Sequence, residues 1–137
     1  FTTSVVWLID TGALDAATPL IEFAIAHGLQ SADEYQRSLP TLLIEQMGEQ
    51  IAAGHNISQA NIERLTEMAL AKAENGMHQV DMPDAVRAKF LKAAGVWNIE
   101  FGSKSRAADL LDRAIAYDER VGAKQLLKEV RAALNKA

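Results

Sequence analysis

The sequence predicts an all-α fold of about seven helices, arranged as antiparallel, tetratricopeptide-like hairpins. Ala, Leu, Glu, Gln, Lys and Arg are frequent, and all of them favour helix. No stretch alternates β-branched and polar residues as a half-buried strand does. Apolar residues instead recur at intervals of three or four, as at Val86, Phe90, Ala93 and Trp97, which is the spacing of a buried helix face.

Turn-forming residues divide the chain into segments. Ser58 and Asp81 are typical N-cap residues, and Pro83 fits the first turn of the helix after Asp81. The longest predicted loop covers residues 29–39. We expect one domain over residues 1–137, with helices near 3–11, 14–26, 40–53, 59–75, 83–101, 105–117 and 121–135.

Two of the predicted hairpins are related in sequence. Sliding the chain along itself aligns Trp7 with Trp97 and Gly12 with Gly102 without a gap. The related hairpins lie near 3–27 and 83–117, with a helical pair at 40–75 between them and a terminal helix at 121–135. A structural repeat would place both tryptophans in equivalent positions inside their hairpins. Chance similarity between two Ala- and Leu-rich helices is the alternative.

The composition limits the possible classes of protein. With 49% hydrophobic and 23% charged residues, the chain is typical of a globular domain. It has no cysteine, which excludes disulfides and thiolate chemistry. No apolar run approaches the roughly 20 residues that cross a bilayer, so we expect no membrane partner and a location in the cytoplasm. Because the chain begins with Phe1, we expect it to be part of a longer protein.

Charge is unevenly distributed along the chain. Residues 1–80 hold ten acidic and three basic side chains, whereas residues 81–137 hold eight acidic and eleven basic ones. Only the second half could present the basic face that DNA phosphates attract. The candidate DNA-binding residues share one face of the last predicted helix: Arg120, Lys124, Lys128 and Arg131. The alternative is a solvated face opposite a stripe of leucines.

The sequence offers no recognisable catalytic centre. The three histidines lack the spacing of metal ligands, and neither common glycine-rich phosphate-binding motif occurs. We therefore expect no catalytic residue, no metal ligand and no cofactor. Two acidic pairs, Asp33-Glu34 and Asp118-Glu119, leave a Mg²⁺-dependent nuclease as an alternative.

Two stretches of the chain resemble the small terminase subunit of Peduovirus-type tailed phages. The first comprises Trp7, Asp10-Thr11-Gly12, Ala17, Ala24 and Gly28-Leu29. The second comprises Asp81-Met82-Pro83-Asp84, Val86-Arg87-Ala88-Lys89, Gly95, Val121-Gly122 and Lys124. The resemblance covers nearly the whole chain and weakens between residues 30 and 80. Its motifs look structural rather than catalytic.

This resemblance implies a homo-oligomer that recognises the packaging site on double-stranded phage DNA and passes the DNA to the large terminase subunit, in the cytoplasm of the bacterial host. Such subunits are sometimes described as terminase endonucleases. Full-length members extend beyond both ends of this match and have a basic tail, so the DNA contacts are expected either here or in those extensions. A tetratricopeptide-like scaffold that binds a peptide of another protein is the alternative function.

Overall fold

The computed structural model describes residues 2–27 and 39–136, and this part of the chain forms seven α-helices and no strand. The helices are α1 (Thr2–Asp10), α2 (Leu14–Ala26), α3 (Leu39–Ala52), α4 (Gln59–Leu70), α5 (Asp84–Phe101), α6 (Lys104–Tyr117) and α7 (Lys124–Asn135), with a 3₁₀ turn at Glu119–Val121. The prediction of an all-α fold is confirmed. The tetratricopeptide-like arrangement stays a prediction.

The longest helix, α5, lies at the centre of the packing. It contacts α3 and α4 on one side and α6 on another, and α6 in turn contacts α7. One apolar core joins α1 to α6 and includes Ile9, Ile21, Leu43 and Phe90. A smaller cluster buries Ala107, Leu111, Ala123, Leu127 and Val130 between α6 and α7. The opposite face of α7 therefore faces solvent.

Helix α4 ends at Leu70, so the prediction that it continues to residue 75 is wrong. Ala71 leaves the helical conformation with ψ of 137°. Its carbonyl accepts a hydrogen bond from the Gln79 amide at 2.9 Å, and Lys72 and His78 form an isolated antiparallel bridge. The helix stops because the backbone pairs across a tight turn instead of continuing along the helix.

The predicted helix starts agree with the structure in part. The Ser58 hydroxyl accepts a hydrogen bond from the Asn61 amide at 3.2 Å, which confirms this N-cap. Asp81 is not an N-cap, because Pro83 occupies that position and the Asp81 carbonyl accepts from the Thr41 hydroxyl at 2.8 Å. The last helix begins at Lys124 rather than at residue 121, since the left-handed Gly122 (φ 82°) interrupts the chain there.

The two tryptophans do not occupy equivalent positions, so that expectation from the repeat is wrong. Trp7 is 63% exposed on α1, whereas Trp97 is half-buried and packs against the core. The Trp97 ring also lies 5.5 Å from the ring centre of Phe101.

The side chain of Arg87 holds the connection between α4 and α5. It is only 2% exposed. Its guanidinium donates to the carbonyls of Ala69, Val80 (3.0 Å) and Met82 (3.5 Å). Ala69 lies in the last turn of α4, where the helix dipole is negative, and this compensates in part for burying a positive charge.

His78 and Tyr117 close the turn over this arginine. The His78 Nε2 atom and the Tyr117 hydroxyl are 2.9 Å apart, and the Tyr117 ring centre lies 5.6 Å from the guanidinium carbon of Arg87. Burial lowers the pKa of His78, and the charges of Arg87 and Lys72 lower it further. The folded protein therefore favours neutral His78.

Asp15 fastens the start of α2 to the start of α4. Its Oδ1 atom accepts hydrogen bonds from the Ser58 amide at 2.9 Å and from the Asn61 side chain at 2.7 Å. These two bonds, with the Asn61 bond the larger cause, lower the pKa of Asp15 from its ordinary value of 3.8. Its charge thus contributes stability that is complete above that value and is lost as the pH falls through the lower pKa of the folded state.

Replacing Asp15 with alanine should lower the free energy of unfolding at neutral pH by about 1 kcal/mol, since exposed hydrogen bonds of a carboxylate at the start of a helix contribute about that much. The difference from the unsubstituted chain should shrink as the pH falls below 3.8. Urea unfolding at several pH values measures both effects. Glu67→Ala, at an exposed position of α4, is the control and should show no such convergence. A loss of unfolding free energy that is equally large at acidic pH would contradict this role of the Asp15 charge.

Candidate functional site

The exposed face of α7 carries most of the predicted DNA-binding residues. Lys124, Lys128 and Arg131 are exposed and follow the i, i+4, i+7 spacing of one helix face. Arg120 is exposed too, but it lies in the 3₁₀ turn before Gly122 and so outside the helix. The structure therefore places three of the four residues on one helix and the fourth on the segment that leads into it.

The local structure of α7 keeps this face outward. Leu127 and Val130 are buried against α6, so the helix cannot rotate without exposing them. Acidic side chains also lie here. Arg131 lies 3.5 Å from Asp112 of α6, Glu129 accepts a hydrogen bond from Gln125 at 3.2 Å, and Asp118 and Glu119 directly precede Arg120. Lys124 and Lys128 have no ion pair within the described residues. Their flexible ammonium groups suit contacts with phosphates rather than with base edges.

Of the two acidic pairs, Asp118-Glu119 lies at the junction of α6 and the 3₁₀ turn. Asp118 caps the 3₁₀ turn, where its side chain accepts from the Arg120 amide at 3.0 Å. The other pair, Asp33-Glu34, lies outside the described residues. Across residues 2–27 and 39–136, no three His, Asp or Glu side chains are grouped so that they could hold a metal ion.

A second candidate surface, which sequence reasoning missed, is a cleft between α3 and α5. The two helices touch where Gly48 faces Phe90, since a Cβ atom at position 48 would stand only 3.1 Å from the Phe90 ring. Beyond this contact a cleft extends towards the C-terminal ends of both helices. Its lining is mainly apolar and includes Ile51, Ala52, Ala93, Val96, Trp97 and Phe101.

Charges lie along the rim of this cleft, hereafter the α3–α5 cleft. Lys89 and Lys92 stand one turn apart near the helix contact, and Glu100 lies at the far end. The Lys89 ammonium is 3.7 Å from Glu49, and both side chains are largely exposed, so this pair contributes little. The Lys92 ammonium donates to the Val121 carbonyl at 3.4 Å. Lys89 and Lys92 supply the positive charge at this end, where Glu49 partly opposes Lys89. Asp15 and residues 54–58 of the α3–α4 connection line the cleft as well.

A helical scaffold with an exposed basic helix face and an apolar cleft has the architecture of a binding domain. Residues 1–85 match the family model described as phage small terminase subunit. The chain belongs to the phage small terminase subunit family, as its sequence motifs predicted.

A curated relative extends this match over more of the chain. The "Terminase, endonuclease subunit" of Escherichia phage P2 is 27% identical over 128 residues, which cover 93% of this chain and 50% of the relative. The chain thus spans about half the length of that relative. No solved structure matches this chain significantly. Among the described helices, none combines the length and apolarity needed to cross a membrane.

Proposed function

We propose that this chain is the assembly and DNA-positioning part of a phage DNA-packaging protein. In this role it forms a homo-oligomer, takes part in recognising the packaging site on double-stranded DNA, and passes the DNA to the large terminase subunit in the cytoplasm of the bacterial host. The observation that carries the proposal is the match of residues 1–85 to the small terminase subunit family. The name of the phage P2 relative supports the same role.

The basic face of α7 is the surface that we assign to DNA. Lys124, Lys128 and Arg131 contact successive phosphates, and Arg120 adds a charge at the start of the helix. A single copy offers only these few contacts, and affinity from phosphate contacts rises with their number. Several copies around one duplex therefore bind far more tightly than one copy, because the later contacts are intramolecular.

The charge reversal Lys124→Glu with Lys128→Glu tests this surface. We expect DNA affinity at moderate salt to fall by at least about tenfold. The negative slope of log affinity against log salt should become less steep by about 2, one unit for each lost phosphate contact. Fluorescence anisotropy with a labelled duplex at several salt concentrations measures both quantities.

Lys72→Glu with Lys104→Glu is the matched control, because both lysines are exposed and neither belongs to α7. The control variant should show less than half of the loss of DNA affinity that is expected for the α7 variant. Equal losses of DNA affinity in the two variants would mean that net charge, rather than the α7 face, determines binding. DNA binding that is unchanged by reversal in α7 would exclude this face.

A protein-binding scaffold is the second candidate function, and the α3–α5 cleft favours it. An exposed apolar cleft of this kind suits a helix or tail of another protein. Salt separates the two candidates: DNA binding weakens steeply as salt rises, whereas binding of an apolar peptide in the cleft does not.

The name of the phage P2 relative also raises an endonuclease as an alternative for this chain. That alternative requires Mg²⁺-dependent nicking of plasmid DNA, and the nicking has to disappear when Asp33, Glu34, Asp118 and Glu119 are replaced by alanine. Asp118 has a structural use in the cap described above, so a stability measurement must accompany its substitution.

A further inference from the structure

Helix α1 presents an exposed stripe centred on Trp7. Its members recur at three- and four-residue spacing and are Thr3, Ser4, Trp7 and Asp10, and the exposed Thr11 follows the helix directly. Trp7 is the single apolar member, and 63% of it is exposed. An exposed tryptophan is the side chain most often found at the energetic centre of a protein interface.

Asp10 lies one turn after Trp7 on the same stripe, at the last position of α1. The C-terminal end of a helix carries partial negative charge, so an acid there is disfavoured unless a cation lies nearby. Within the described ranges Asp10 forms no ion pair. The stripe thus offers an aromatic side chain followed by an uncompensated acid.

The α3–α5 cleft has the complementary features. The small residues Ala52 and Ala93 are part of its lining, and Phe101, in the same lining, is 62% exposed. Lys89 and Lys92 supply positive charge on the rim next to this apolar lining. An aromatic side chain with an acid beside it fits this combination.

We propose that α1 of one copy of the chain docks into the α3–α5 cleft of a second copy. Trp7 packs between Val96 and Phe101 of the neighbouring copy, and Asp10 meets its Lys89 and Lys92. This inference rests on the homo-oligomer of the proposed function and names its contact. The basic face of α7 is a poorer occupant, since Lys124 and Lys128 would meet Lys89 and Lys92 on the rim of the cleft.

The two surfaces of this contact are different, so the interface is heterologous. Each copy gives Trp7 to one neighbour and offers its cleft to another. The contact can therefore be repeated through a series of copies. A variant that has lost one of the two surfaces keeps the other one intact.

Trp7→Ser and Phe101→Ser test the two surfaces separately. Light scattering over a range of protein concentrations gives the dissociation constant of self-association. We expect either substitution to raise it by at least about 30-fold, as for an aromatic residue at the centre of an interface. Met77→Ser is the matched control, because Met77 is 69% exposed and lies outside both surfaces. Circular dichroism verifies that each variant is folded.

Mixing and charge exchange make the test specific. An equimolar mixture of the Trp7→Ser and Phe101→Ser variants retains one intact contact and should form a one-to-one pair that neither variant forms alone. Asp10→Lys should raise the dissociation constant about fivefold. When the Asp10→Lys variant is mixed with a variant that carries Lys89→Glu and Lys92→Glu, the dissociation constant should return to within about threefold of the unsubstituted value.

The inference fails if the unsubstituted chain stays monomeric, if self-association survives both serine substitutions, or if the mixture does not pair. A monomeric chain would also overturn the homo-oligomer of the proposed function, whereas the other two outcomes are distinct from its failure. Self-association that survives both substitutions, together with DNA binding that depends on α7, would reject the α1 contact and leave the packaging role in place.

Discussion

Replacing Arg87 with lysine should destabilise the protein by about 3 kcal/mol, although the charge is retained, because a buried cation that loses its hydrogen-bond partners costs that much. Lysine is shorter and cannot donate at once to the carbonyls of Ala69, Val80 and Met82, which the guanidinium joins. Those carbonyls, one at the end of α4 and two in the connection to α5, would be left unpaired. Arg87→Met should cost about 2 kcal/mol, since it removes both the hydrogen bonds and the buried charge.

Chemical unfolding followed by circular dichroism measures these differences. Arg113→Lys serves as the control, because Arg113 is exposed and pairs with Asp109 across one helix turn at 3.1 Å. That substitution should change the free energy of unfolding by less than about 0.5 kcal/mol. If Arg87→Lys were no more harmful than Arg113→Lys, the carbonyl contacts of Arg87 would not be holding the α4–α5 connection.

Gly95→Val should destabilise the protein by about 3 kcal/mol, the upper end of the usual range for overpacking a core. Gly95 of α5 faces Ala107 and Leu111 of α6. A Cβ atom there would lie 2.9 Å from the Cδ2 atom of Leu111 and 3.5 Å from the carbonyl of Ala107. Leu111 is fully buried, so it cannot move aside without disturbing the contact of α6 with α7.

Gly95→Ala should show a smaller loss of about 1 kcal/mol, because the higher helix propensity of alanine offsets part of the clash. Ala85→Val places a valine at an exposed position of the same helix and controls for the effect of β-branching. Thermal unfolding of the three variants gives the order of stability. A Gly95→Val variant as stable as Ala85→Val would mean that α5 and α6 do not pack through this glycine.

The helices themselves could be predicted from local sequence. The bounds of α2 were predicted as the structure has them, because Gly12 precedes the helix and His27-Gly28 follows it in the sequence. The prediction for α4 extended too far because residues 71–75 favour helix locally. A contact with distant Arg87 and the backbone pairing across the turn decide where that helix ends.

The surfaces were harder to predict than the helices. The basic residues of α7 carry a signal in their spacing, and the structure places three of the four predicted residues there. The α3–α5 cleft has no comparable signal, because residues from separate helices form it and each looks like an ordinary core position. Trp7 was placed inside its hairpin by analogy with Trp97, and nothing in the local sequence indicates its exposure.

The position of Arg87 bears on how this family is divided into parts. The family match ends at residue 85, inside the first turn of α5 and just before the residue that joins α5 to α4. Phe90 and Leu91 of the same helix complete the core over α1–α4. The matched segment is therefore a stretch of shared sequence rather than an autonomous folding unit. A recombination event that exchanged only this segment between phages would divide one core in two, so the two parts are expected to be inherited together.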